Sequence, residues 1–400
     1  MKTYIGGRPG LSLGDLFRNH PKRCNAYALS HGKCFYFFSA RYALAALIKA
    51  SGLKEGDEIL VPSYNCGAEV DPILFYKLRP VFYRIKRDLS IDFEDLVKKI
   101  NKKMKAILIT HYLGFPQAIE ELRNICDERK IALFEDCAHS FLSDCNGKPL
   151  GSFGDAAFFS LLKTLPVPNG AVLVINNKDI NFNPNFLKPN FFATCFYATE
   201  LLRYRTAGNE NSFEENALIL IRNGVYASMS YVRLMLAGFR KVFNPKGLYL
   251  VRPDSYLFVE ELQSWGISEL SRTIIRRTDF DQIKNSRRKN FEYLLDYFLK
   301  NERGVLPFTE LPAGVCPLFF PIILESSEQR ETIYKTLKSR GVITHPWWDR
   351  FHPQVPWDEF PDAVYLKTRL FGLPIHQDLT TKHLNLVIEE FENAYKRVEK

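Results

Sequence analysis

Lys163 sits between FFSLL and LPVPNGAVLV, two runs that carry no other charge. An ammonium is strongly hydrated. A lysine in that setting is either exposed at a strand end or held in an apolar site that lowers its pKa and frees its amine as a nucleophile. Asp136 closes the run IALFED. A carboxylate at a strand end can cap the next helix, bind a metal, or pair with a cationic ring nitrogen. A metal would recruit further ligands, and only Glu135 and His139 lie close in the chain. Pyridoxal phosphate needs a carboxylate to keep its pyridine protonated and a lysine to hold its aldehyde. Its phosphate needs hydroxyls and the amides of a helix N-terminus. Ser39, Ala40 and Arg41 at the head of ARYALAAL, and Ser160 just before the lysine, could supply those.

Such residues need a frame that brings them together. From residue 39 the chain alternates helical and strand patterns. Ser39 can cap a helix with Leu44, Leu47 and Ile48 on one face and Gly52 at its end. EILVPSY, PVFYRI, KAILITHYLG, IALFEDCAHS, DAAFFSLL and GAVLVI read as buried strands, with a helix over AIEELRNICDERK. Apolar runs alternating with amphipathic helices predict an α/β fold with a mainly parallel sheet. Ligands on such sheets gather at the carboxyl ends of the strands, where Tyr64, His111, Asp136 and Lys163 all fall.

A chain of 400 residues is too long for one simple core. The predicted division is a large domain over 1–270 and a small α+β domain over 271–400. The large domain carries a helical, aromatic-rich insertion at about 185–250. With 46% hydrophobic and 25% charged residues the composition is that of a soluble globular protein. No apolar run is long enough to span a bilayer, and MKTYIGGRPGLSLGDLF lacks signal-peptide architecture, so the expected location is the cytoplasm. The eight cysteines show no paired spacing and read as reduced thiols. The net charge of +9 sits largely in KKINKKMK and SRTIIRRTDFDQIKNSRRKN, read as solvated faces; no nucleic-acid-binding pattern accompanies it. MSYVRLMLAGFRKVF is apolar with a basic fringe. It is expected to pack on protein, and lying on an anionic membrane is the alternative.

GDEILVPSYN, RPVFYRI, ITHYLGFP, FEDCAHS, GSFGDAAFFS and KTLPVPNGAVLV together resemble the DegT/DnrJ/EryC1/StrS sugar aminotransferases, a branch of the fold-type-I pyridoxal-phosphate enzymes. The resemblance covers about residues 35–176 and returns faintly at ISELSRTIIRR and LPIHQDLT. It implies a fold-type-I large domain and a bound pyridoxal 5'-phosphate. Lys163 would be the Schiff-base lysine, Asp136 the partner of the pyridine nitrogen and His139 a neighbour of the phenolic oxygen. Ser160 and the turn Ser39-Ala40-Arg41 would take the phosphate. It also implies a homodimer with shared active sites, a keto sugar as acceptor and L-glutamate as donor. His111 matches a family histidine near the site, and His376 one near its entrance; a packed strand-end histidine is an equal reading of His111.

Several positions depart from the family. Only two residues separate Ser160 from Lys163. Cys66 stands where the family commonly has an aromatic residue over the ring, leaving Tyr64 or Asn65 to compensate. QSWGISEL replaces the segment that usually reaches the neighbouring active site. Relatives with histidine in place of the lysine are dehydratases, so Lys163 favours transamination. A fold-type-I scaffold that binds cofactor or sugar without turnover is the alternative from another class. Trp347 and Trp348 read as core of the small domain, with a sugar pocket as the other possibility.

Overall fold

The computed structural model describes residues 4–12, 15, 26–189, 194–195, 197–198, 201, 224 and 258–398. The expected insertion at 185–250, including its apolar-basic stretch, falls almost wholly outside the described residues.

Twelve strands are described: β1 Cys34–Phe37, β2 Glu58–Pro62, β3 Arg79–Tyr83, β4 Met104–Thr110, β5 Ala132–Asp136, β6 Asp144–Cys145, β7 Lys148–Pro149, β8 Ala156–Ser160, β9 Ala171–Ile175, β10 Phe319–Ile323, β11 His345–Pro346 and β12 Leu370–Pro374. Seven of them form one sheet in the order β1-β9-β8-β5-β4-β2-β3. The pairs β2–β3, β2–β4, β4–β5 and β5–β8 are parallel, and β9 alone runs against the rest. This is the mainly parallel sheet that the unbroken apolar strands predict, because both faces are covered. Every residue of β8 and β9 is buried.

Two devices shape the sheet's carboxyl edge. Tyr112–Gly114 turns sharply after β4, with Leu113 at φ 56° and Gly114 at φ 100°. A Cβ on Gly114 would lie 2.3 Å from the Cys316 carbonyl oxygen, so this turn is built against the second half of the chain. Side chains alternate across a strand, so Glu135 and Asp136 leave β5 on opposite faces. Glu135 accepts from the amides of Gly151, Phe153 and Gly154 and ties down the loop before β8.

The second sheet, β10-β12-β11, is antiparallel. The helices Phe280–Asn301, Ser327–Ser339 and Thr381–Tyr395 share its core through Phe291, Phe298, Ile333, Leu337, Val387 and Phe391. Ile5 joins this core and bridges Val342. Trp347 and Trp348 join the core cluster of the seven-stranded sheet, and Trp347 also packs on Phe319 of β10, so they bridge the two sheets instead of filling the small domain alone. The lysines of KKINKKMK are mostly exposed, as a solvated face requires.

Candidate active site

Register explains why distant residues meet at the carboxyl edge. Phe37 pairs with Ala171, and Ala171 with Ser160, so the ends of β1, β9 and β8 lie side by side. Ser39, two residues past β1, therefore emerges near Ser160. The helix Ala40–Ala50 starts there, with Ser39 in the cap position. Its hydroxyl makes no capping bond; Ser39 Oγ is buried and without a partner. The expectation of a capping side chain is thus replaced by an unspent donor at a helix N-terminus. The Ser160 hydroxyl also makes no hydrogen bond among the described residues. Ala40 and Arg41 form the first turn of that helix, whose N–H groups point to the same end.

Lys163 lies in the short helix Leu161–Thr164 that continues β8. Its ammonium makes no hydrogen bond or ion pair among the described residues. Its neighbours are rings: Nζ lies 5.9 Å from the centroid of Trp347 and 6.0 Å from that of Trp348. The turn beneath it is anchored from the other half of the chain. Gln377 Nε2 donates to the Thr164 carbonyl at 3.1 Å, and the buried Arg287 holds Gln377 Oε1 at 3.0 Å.

Asp136 is buried at the end of β5 and accepts from the Ala138 amide at 2.8 Å. Burial, and then the Glu69 carboxylate, push its pKa up to about 7, against the opposing pull of Lys163. No cation pairs directly with this carboxyl group among the described residues. His139 is equally buried, and burial followed by the Lys163 charge draws its pKa well below the usual value, so it is neutral. The Leu113 amide donates to its Nδ1 at 3.2 Å, which puts the ring proton on Nε2. That Nε2 is buried without a partner. The left-handed Leu113 is what aims the amide: strain stored beside a site.

Other candidates are committed elsewhere. Tyr64 is buried, and its hydroxyl donates to the Trp347 carbonyl at 2.7 Å. Asn65 is spent on its own turn, bonding Pro62, Ser63 and Gly67. Cys66 Sγ contacts Glu69 at 3.0 Å. His111 receives the Gln117 amide on Nδ1 and gives Nε2–H to Glu135 at 3.1 Å, the packed-histidine reading. Cys137 lies close to this pair, but Glu135 is already saturated by amides. His376 is buried and donates from Nε2 to the Gly6 carbonyl, so it does not face an entrance. Ser268 in QSWGISEL and Ser271 just after it bond Asn169, bracing the loop after Lys163 from within the same chain.

Sequence reasoning missed Glu69 and Lys367. Glu69 gives no signal beyond an acid near a strand end, and Lys367 lies in an ordinary helical pattern.

Residues 11–188 match the DegT/DnrJ/EryC1/StrS aminotransferase family. Over that stretch the chain is similar to this family. GDP-perosamine synthase of Vibrio cholerae is 38% identical over 140 residues, 34% of this chain and 38% of that protein. The chain thus spans little more than a third of that relative's length. The dTDP-4-dehydro-2,3,6-trideoxy-D-glucose 4-aminotransferase of Saccharopolyspora spinosa is 24% identical over 369 residues, 89% of this chain and 83% of that protein. Among solved structures, the PMP form of Streptococcus pneumoniae Spr1654, titled as a sugar aminotransferase, has a TM-score of 0.68 at 16% identity. It covers 99% of this chain and 98% of that one. The fold is therefore shared with that structure across nearly the whole chain.

Proposed function

We propose that this chain is a pyridoxal-phosphate-dependent aminotransferase that moves an amino group from an amino acid to a nucleotide-linked keto sugar, with L-glutamate as the implied donor. The observation that carries the reading is the set of unspent polar groups at one sheet edge. Lys163 has no polar partner among the described residues. Among the described residues no cation pairs directly with Asp136, and His139 Nε2 and Ser39 Oγ are buried without partners. That set fits pyridoxal phosphate: an amine for its aldehyde, a carboxyl for its ring nitrogen, a neutral N–H donor for its phenolic oxygen and a hydroxyl for its phosphate.

When bound, the cofactor supplies an electron sink for the donor's carbon–hydrogen bond. The protein's residues do the rest. Asp136 ionises against the ring nitrogen and keeps it protonated. His139 donates from Nε2. Lys163 would hold the cofactor's aldehyde and, as a free amine, would take the proton from the donor's α-carbon and return it to the carbon that becomes the amino group's new attachment. Its ammonium must shed a proton before it can accept one. Ser39, Ser160 and the first turn of Ala40–Ala50 hold the phosphate. The large and small domains divide near residue 270, and a homodimer is the proposed assembly.

Purified protein incubated with pyridoxal phosphate should turn yellow and transfer nitrogen from glutamate to one of a panel of nucleotide keto sugars. Lys163→Ala should lose both the visible band and turnover, with its melting temperature little changed. A borohydride-reducible adduct in that variant would mean another lysine holds the cofactor. A yellow protein that turns over no sugar would favour the binding scaffold.

A further inference from the structure

Lys163 faces an aromatic wall that comes from the second half of the chain. Cys66 is too small to cover a planar ring, and neither Tyr64 nor Asn65 is free to do so. Trp347 and Trp348 occupy the ground in front of Lys163 instead. The Trp348 ring lies 5.1 Å from that of Tyr64 and 5.1 Å from that of His139, and Trp347 lies 5.0 Å from His139. Trp347 Nε1 is buried with no partner.

This wall is held by its backbone. Tyr112 donates to the Tyr64 carbonyl at 2.7 Å, and Tyr64 donates to the Trp347 carbonyl at 2.7 Å. Lys367, in the helix Pro361–Arg369, is wholly buried. Its three donors meet three carbonyls: Asn65 at 2.7 Å, Trp348 at 3.1 Å and Arg350 at 2.6 Å. Burying an ammonium is costly unless every donor is satisfied. Here each is, and the bonds join the end of β2 to the turn that carries the tryptophans. An ammonium spent this way is no acid or base for a substrate; it fixes geometry.

We propose that Trp347 and Trp348 form the ring-covering wall of the pyridoxal-phosphate site, and that Lys367 is the positioning residue that holds it. This rests on the cofactor reading above. Indole faces attract cations, so the same wall that faces the Lys163 ammonium suits a protonated pyridine ring.

The test is a pyridoxal-phosphate titration of the full chain, read by the visible absorption band and by its induced circular dichroism. Trp348→Ala should weaken uptake about tenfold or more, and Trp348→Phe less than about threefold, since an aromatic contact contributes on the order of 1 kcal/mol beyond its area. Lys367→Met should weaken uptake about tenfold and cut the dichroism per bound cofactor, a signature that mere loss of stability would not change. If Lys367→Met does not fold, the Trp348 pair with Trp347→Phe decides. Wild-type uptake and dichroism in the Trp348→Ala and Lys367→Met proteins would overturn this inference alone. Failure of the wild-type protein to take up pyridoxal phosphate would overturn the functional reading as well.

Discussion

At the scale of single residues, the site is defined by groups whose hydrogen-bonding capacity is unspent. Asp136 makes this testable without any substrate. In the cofactor-free protein its pKa is raised to about 7, first by burial and then by Glu69. The unfolded chain ionises it near the ordinary carboxyl value, so between those two values the folded state binds more protons. Stability from this group is therefore complete at acid pH and falls as pH rises towards 7. Asp136→Asn removes the ionisation. Cofactor-free Asp136→Asn should exceed wild type by up to about 4 kcal/mol at pH 8, shrinking to less than about 2 kcal/mol at pH 5. Urea melts at the two pH values check the sign. The same variant should lose most turnover, because an amide cannot keep the ring nitrogen protonated. Turnover near wild type would leave Asp136 a structural role only.

At the scale of elements, the turn after β4 positions His139 and locks the two halves of the chain together. Gly114 has φ 100°, and a Cβ there would meet the Cys316 carbonyl oxygen at 2.3 Å. Gly147 is a useful control: it has φ 80°, yet a Cβ there would meet nothing within 4 Å. Gly114→Ala should cost about 2 kcal/mol or more, and Gly147→Ala about 1 kcal/mol, the difference being the backbone clash. Chemical denaturation of both variants separates conformation from contact. Equal losses would mean that the Cys316 contact yields freely.

At the scale of the whole molecule, the surface charge and the assembly are the open quantities. The stretch MSYVRLMLAGFRKVF is apolar with Arg233, Arg240 and Lys241 at its fringe. Such a face is ordinarily buried on protein, so no sedimentation with anionic liposomes is expected at any salt concentration. Salt-sensitive binding lost in an Arg233→Glu, Arg240→Glu double variant would reverse that expectation. A homodimer would run at twice the chain mass by light scattering, and a strictly monomeric protein would remove the shared-site arrangement.

The mainly parallel sheet and its carboxyl edge were legible in the sequence because their causes are local. Continuous apolar runs separated by helical periodicity demand a covered parallel sheet, and such a sheet sends every strand's carboxyl end to one edge. That placed Asp136, Lys163 and Tyr64 together without coordinates. What the Tyr64 hydroxyl does there was not legible, because its acceptor is 283 positions away. The same holds for Ser39 beside Ser160, which depends on β1 and β9 pairing across most of the large domain. Tertiary structure alone decided that Trp347 and Trp348 meet His139 and Tyr64, and that Lys367 is buried against Asn65, 302 positions earlier. No periodicity encodes a buried lysine, because its stability comes from three carbonyls that only the packed chain brings within reach.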